Sequence, residues 1–98
     1  MLVQSIKEFV NSQKFTQIVL VVRENTNKYP FITFISADNK AENVYFSKEL
    51  AKTVTAGSPV TKDLINSMQV ATVTNELGEE RTKLISNSTR VDINSLLD

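Results

Sequence analysis

Histidine and cysteine are both absent from these 98 residues. Disulfides and thiol chemistry are therefore excluded, and so are the commonest transition-metal ligands and the commonest general base. A cytoplasmic setting is the reading that fits a chain without cysteine. Tryptophan is missing as well, and there are only two glycines and two prolines. Two glycines cannot build a phosphate-cradling loop. Charge of one sign is not in excess: lysine plus arginine and aspartate plus glutamate each number 11. That balance argues against a protein that coats nucleic acid by bulk charge, since each phosphate contact needs a cation. It leaves room for a local basic groove. No apolar run is long enough for a membrane span or a signal peptide, and the opening MLVQSIKEFVNSQ is interrupted by Lys7 and Glu8.

The remaining composition is that of a single globular domain over residues 1–98, with 41% hydrophobic and 22% charged residues. Leu2, Ile6, Phe9 and Val10 fall at helical spacing, which predicts a short amphipathic helix from Leu2 to Val10. The β-branched run Phe15–Arg23 predicts a first strand, and Tyr29–Ile35 (YPFITFI) a second. Asn43–Phe46 reads as a third. Ser47 stands where an N-cap is wanted for a helix through Leu50, Ala51 and Val54, with Gly57 as a stop signal. The stretch 58–66 is open to two readings, a helical turn capped by Thr61 or a strand beginning at Val60. Met68–Thr74 and Glu80–Ser86 read as a hairpin around Asn75–Glu79, with Gly78 supplying a positive φ. The last residues, 87–98, carry a weak alternation at Val91 and Ile93. The expected fold is mainly β with some helix. It is a five-stranded antiparallel barrel or strongly twisted sheet, with an N-terminal helix and a short helix between strands three and four.

Three meander strands, a helix and a hairpin form the element order of the OB-fold, a partly open Greek-key barrel. Within it, Ser47-Lys48-Glu49-Leu50-Ala51 and Gly57-Ser58 resemble the helix and Gly-Ser pair of bacterial and phage single-stranded-DNA-binding proteins. Glu76-Leu77-Gly78-Glu79-Glu80-Arg81 is similar to that family's hairpin before its last barrel strand. The sequence departs from the family at Pro59 and Lys62-Asp63, which interrupt its long fourth strand, and in having no tryptophan to stack on bases. The resemblance implies an oligonucleotide surface on strands two and three.

Strand phase gives that surface candidate residues. With Ile18, Leu20, Val22, Ile32, Phe34, Val44 and Phe46 inward, the outer face shows Tyr29, Phe31 and Tyr45, with Arg23 nearby. Arg81 and Lys83 share a face of the last strand and could hold phosphates. Base stacking on such rings would contribute about 1–3 kcal/mol per base. The competing expectation comes from Val19 and Val21 on the same outer face. They suit burial beneath the amphipathic helix, or a homo-oligomer interface in a non-catalytic assembly subunit. Catalysis is not expected: Glu79 and Glu80 are neighbours pointing to opposite faces, and Asp38-Asn39-Lys40 lacks the alternating oxygen ligands of a calcium loop. No metal, cofactor or small-molecule substrate is expected. The partners foreseen are single-stranded DNA or RNA, or further copies of the chain.

Overall fold

The computed structural model describes residues 1–87, so the alternation at Val91 and Ile93 lies outside the described residues. The described chain runs β1 (Leu2–Ser5), α1 (Ile6–Ser12), β2 (Phe15–Ile18), β3 (Arg23–Glu24), β4 (Pro30–Ser36) and β5 (Ala41–Phe46). It continues through α2 (Lys48–Ala51), α3 (Lys62–Asn66), β6 (Met68–Thr74) and β7 (Glu80–Ser86). All seven strands belong to one curled, half-barrel sheet in the order β1-β6-β7-β5-β4-β2, with β3 also on β4. The class is mainly β, as expected. The count of five strands is corrected to seven, and the purely antiparallel arrangement to one containing a parallel pair, β5 with β7.

One face of the sheet builds the main core. Ile32 and Phe34 of β4, Val44 and Phe46 of β5, Met68 and Val70 of β6 and Leu84 of β7 are buried together with Ile6 and Phe9 of α1. Phe34 has no exposed surface and meets Phe9 edge-on at 5.3 Å and Phe15 at 5.4 Å. Leu50, Ala51 and Val54 pack on the same cluster from the α2 side, and Leu64 and Ile65 from α3. The three helices of the described residues therefore lie on one side of the sheet. Ala71, Val73 and Ile85 form a separate small buried cluster. Their strand parity, opposite to Val70 and Leu84, places them on the other face.

The N-terminus departs from its helical reading. Leu2–Ser5 is a strand that pairs antiparallel with β6, Leu2 opposite Thr72 and Val3 opposite Ala71. The helix starts at Ile6 because Ser5 caps it: its Oγ accepts from Glu8 N at 3.1 Å, and Glu8 Oε1 accepts from Ser5 N at 3.0 Å. This reciprocal capping box satisfies donors that a longer helix would not leave free. Replacing Ser5 by alanine is expected to cost about 1 kcal/mol, measurable by urea unfolding. The Ser5 hydrogen bonds hold the Glu8 carboxyl below its ordinary range. Its contribution is present above the unfolded-state value and is lost as pH falls through the lowered one.

The long first strand is also corrected, into β2 and β3 with a register shift between Phe15 and Gln17. Between them the chain bends to serve two partners. Val19 N donates to Thr33 O of β4, whereas Val22 N donates to Ser58 O and Val60 N to Leu20 O. The bend breaks the phase: Val22 is buried as expected, but Leu20, expected inward, is 59% exposed. Pro59 bridges Val21 in the segment that was open to two readings, and the helical alternative holds for the rest. Thr61 Oγ1 accepts from Leu64 N at 3.1 Å and caps α3. Ser47 caps α2 as expected.

Three hairpins share one turn. In 25–29, 36–40 and 75–79 the first residue's N–H donates to the fifth residue's carbonyl, and the fourth residue's N–H donates back to the first. The fourth position is left-handed each time: Lys28 at φ 64°, Asn39 at φ 65° and Gly78 at φ 80°. This is the three-residue hairpin loop with a bulge, which favours glycine at that site. Gly78 fits without strain and Asn39 tolerates it, but Lys28 does not suit it. Lys28→Gly is expected to stabilise the protein by about 0.5–1 kcal/mol, read as a rise in urea midpoint.

Candidate nucleic-acid interface

Strand registers place four of the six sequence-predicted residues in a single cross-strand row. Arg23 of β3 lies opposite Phe31 of β4, and Phe31 opposite Tyr45 of β5. Tyr45 pairs with Lys83 of β7, and Lys83 with Ala71 of β6. Because side chains alternate along a strand, these residues share the face opposite Ile32, Val44, Leu84 and Val70. The row is thus cation, ring, ring, cation on the face opposite the described helices. Arg81 lies two residues from Lys83 on the same face and is exposed. Tyr29 precedes β4 with the parity of Phe31 and is 62% exposed.

The two rings in the row differ in what they can offer. Phe31 is only 7% exposed, and its ring meets that of Tyr45 at 5.2 Å with a 57° tilt. It forms a floor rather than an open stacking surface. Tyr45 is half-buried, with one flank on Phe31 and Lys83 Nζ 5.6 Å from its ring centroid. Lysine over a tyrosine face is favourable because the ring's negative face attracts the cation. A long contact from Asn25 Nδ2 reaches the Tyr45 hydroxyl at 3.5 Å. Thr33 and Asn43, the next cross-strand pair, are joined by a 2.8 Å hydrogen bond between Thr33 Oγ1 and Asn43 Oδ1.

Electrostatically the row is cationic within a neutral chain. The ion pair of Lys40 with Asp38, at 3.7 Å, lies elsewhere, in the β4–β5 hairpin. Burial lowers the Lys83 pKa, and the nearby charges of Arg81 and Lys48 lower it further. Arg81, two residues along the same face of β7, sets a second cation near Lys83.

Asn25 was not visible as a site residue from the sequence. Its Oδ1 accepts from Asn27 N and Tyr29 N, both at 2.9 Å, so one side chain shapes the loop that presents Tyr29. The same arrangement recurs at Asn75, whose Oδ1 accepts from Leu77 N at 3.0 Å and Glu79 N at 2.9 Å. An Asn at the first position of such a loop, whose side chain can accept from the N–H two residues on, is the signal that could have marked both.

The described residues bring together no group of three or more His, Cys, Asp or Glu side chains able to hold a metal. An open depression of about 670 Å³ lies beside the β4–β5 hairpin, lined by Lys14, Phe15, Asp38, Lys40 and Glu42 among others. Its charges are of both signs, and its one ring, Phe15, packs on Phe9 and Phe34. The Ser36 hydroxyl donates to the Asp38 carboxylate there, within the exposed β4–β5 hairpin loop. Among the described residues no helix is long and apolar enough to cross a membrane. No family model, curated protein or solved structure matches the chain.

Proposed function

We propose that this chain is a small single-stranded nucleic-acid-binding module of OB-like build. The carrying observation is the uninterrupted row Arg23–Phe31–Tyr45–Lys83 on the sheet face opposite the described helices. Strands are about 4.8 Å apart, so the two end cations lie about 14 Å from one another, enough for two or three extended nucleotides. In that span Tyr45 stacks a base with Phe31 as its backing, Tyr29 offers a second ring, and Arg23, Lys83 and Arg81 hold phosphates. The competing idea, that the amphipathic N-terminal helix covers these rings, is weakened because Ile6 and Phe9 pack into the core on the opposite face. The meander, the helical crossover and the returning hairpin also stand in the order expected of the OB-fold.

The test is a titration of the protein with a dT oligonucleotide at several salt concentrations. Three phosphate contacts on a single strand imply a log–log salt slope of about −2, so affinity should fall roughly twentyfold between about 50 and 200 mM salt. Binding that is absent, or insensitive to salt, removes the reading.

A second reading, homo-oligomer assembly, is favoured by one feature. β1 is an edge strand, and Leu2 and Val3 on it, with Met1 just before it, are 54%, 36% and 61% exposed. An open apolar edge is a pairing template. Light scattering across a concentration series distinguishes it, because Leu2→Lys would then shift the mass toward monomer without changing the oligonucleotide slope.

A further inference from the structure

The cross-strand pair beside the two rings has a hydrogen-bonding direction of its own. Thr33 of β4 lies opposite Asn43 of β5, two residues along each strand from Phe31 and Tyr45 and on the same face of the sheet. Thr33 is only 6% exposed, whereas Asn43 is open to solvent. The Thr33 hydroxyl donates to Asn43 Oδ1 at 2.8 Å, the usual length of an O–H···O bond. A β-branched residue has few χ1 choices, so this buried hydroxyl is a rigid anchor. With Oδ1 engaged in this way, the Asn43 amide turns its Nδ2 hydrogens away from Thr33. The result is an exposed side chain of fixed orientation, with its donors outward, next to the Tyr45 ring.

We propose that Asn43 makes this platform prefer bases with a keto group at the reachable edge, namely thymine, uracil and guanine, over the amino-edged cytosine and adenine. The inference rests on the nucleic-acid reading of the face. Alternate residues of a strand lie about 6.6 Å apart, so a base lying on the Tyr45 ring with its edge along β5 reaches Asn43. There the amide N–H donates to O4 of uracil or thymine, or to O6 of guanine. Cytosine and adenine carry an amino group at the same position, donor against donor, and lose that bond. Stacking on Tyr45 is indifferent to this edge, because every base has a π face. The ring and the flanking cations thus set affinity, and Asn43 sets the choice of base. Thr33 is a positioning residue in this scheme. Without its hydroxyl the amide can turn over and offer Oδ1, which suits the amino bases equally well.

The experiment compares deoxyuridine and deoxycytidine oligonucleotides of equal length by fluorescence anisotropy, at low salt and a mildly alkaline pH at which cytosine is neutral. The two share a backbone and a ring size and differ at the edge Asn43 would read. The parent protein should bind the uracil oligonucleotide at least about threefold more tightly, the effect of one hydrogen bond of modest net worth. Asn43→Ala should bring the two affinities within about twofold of one another, by weakening the uracil complex. Thr33→Val keeps the branched shape and should shrink the ratio in the same way with Asn43 still present, circular dichroism confirming that both variants are folded. Measurable but equal binding of the two oligonucleotides by the parent overturns the proposal and leaves the nucleic-acid reading standing. Tighter binding of the cytosine oligonucleotide overturns it too, as does an Asn43→Ala protein that keeps the parent's ratio. An unaltered ratio in folded Thr33→Val defeats the positioning role. If that variant does not fold, the exposed Asn43→Ala decides. Failure of the parent to bind either oligonucleotide removes the nucleic-acid reading and the base preference together.

Discussion

Replacing Phe34 with alanine is expected to destabilise the protein by about 3–5 kcal/mol, the largest effect of any single substitution considered for this chain. Phe34 is fully buried and lies between Phe9 of α1 and Phe15 of β2. Phe9 and Phe15 also touch, at 5.5 Å, so three rings from three elements close a triangle. Removing the ring on β4 opens a cavity and loosens the anchors of both α1 and β2. Against a total stability of about 5–15 kcal/mol for a domain of this kind, that loss is decisive. Thermal or urea unfolding followed by circular dichroism measures it. A double-mutant cycle with Phe9→Ala should show coupling of about 0.5–1.5 kcal/mol, as expected for an edge-on aromatic pair. A Phe34→Ala cost below about 1.5 kcal/mol would mean that the triangle is not the centre of the core.

That core was legible because its residues announce themselves locally. Met68–Thr74 and Glu80–Ser86 each hold an alternating pattern bounded by polar or turn residues, and both strands came out at the expected limits. Ser47 and Thr61 were readable as caps because a hydroxyl ahead of a helical turn has one obvious task. The N-terminal strand was not legible, since LVQS fits a helical wheel as well as it fits a strand. Its partner, β6, lies some seventy residues away in the chain, and pairing with it overrides local propensity. The run Ile18–Val22 has no period at all, so nothing in it marks the bend at which it leaves β4 for residues 57–60. For the candidate site, the identity of the face could be read, because Ile32 and Phe34 fix the phase of β4. What could not be read was the alignment. Arg23 meets Phe31, and Lys83 meets Tyr45, through a non-local register that includes the parallel pair β5–β7. Nor could the sequence say which side of the sheet α1 would take, and that choice puts α1 on the face away from the row.

Tyr45→Ala is expected to weaken oligonucleotide binding by about 1–3 kcal/mol, from several-fold to more than a hundredfold, while leaving the fold in place. Phe31→Ala should behave differently. Its ring is buried, so the substitution should appear mainly as lost stability, about 3 kcal/mol, with weaker binding following from disorder of the Tyr45 ring it backs. Tyr45→Phe keeps the stacking face and loses only the long contact from Asn25, so its affinity should stay within about twofold of the parent. The cation beside the ring adds a pH dependence whose sign follows from its charge. Binding needs the ammonium form of Lys83, which is fully present below its lowered pKa and lost as pH rises through it. Affinity should therefore begin to fall before the range in which ordinary lysines titrate, and Lys83→Arg should remove that early limb because guanidinium stays charged. A pH profile identical in the parent and Lys83→Arg proteins would take Lys83 out of the interface. Unchanged binding by Tyr45→Ala would take out the ring, and with it the reason for reading this row as a platform for bases.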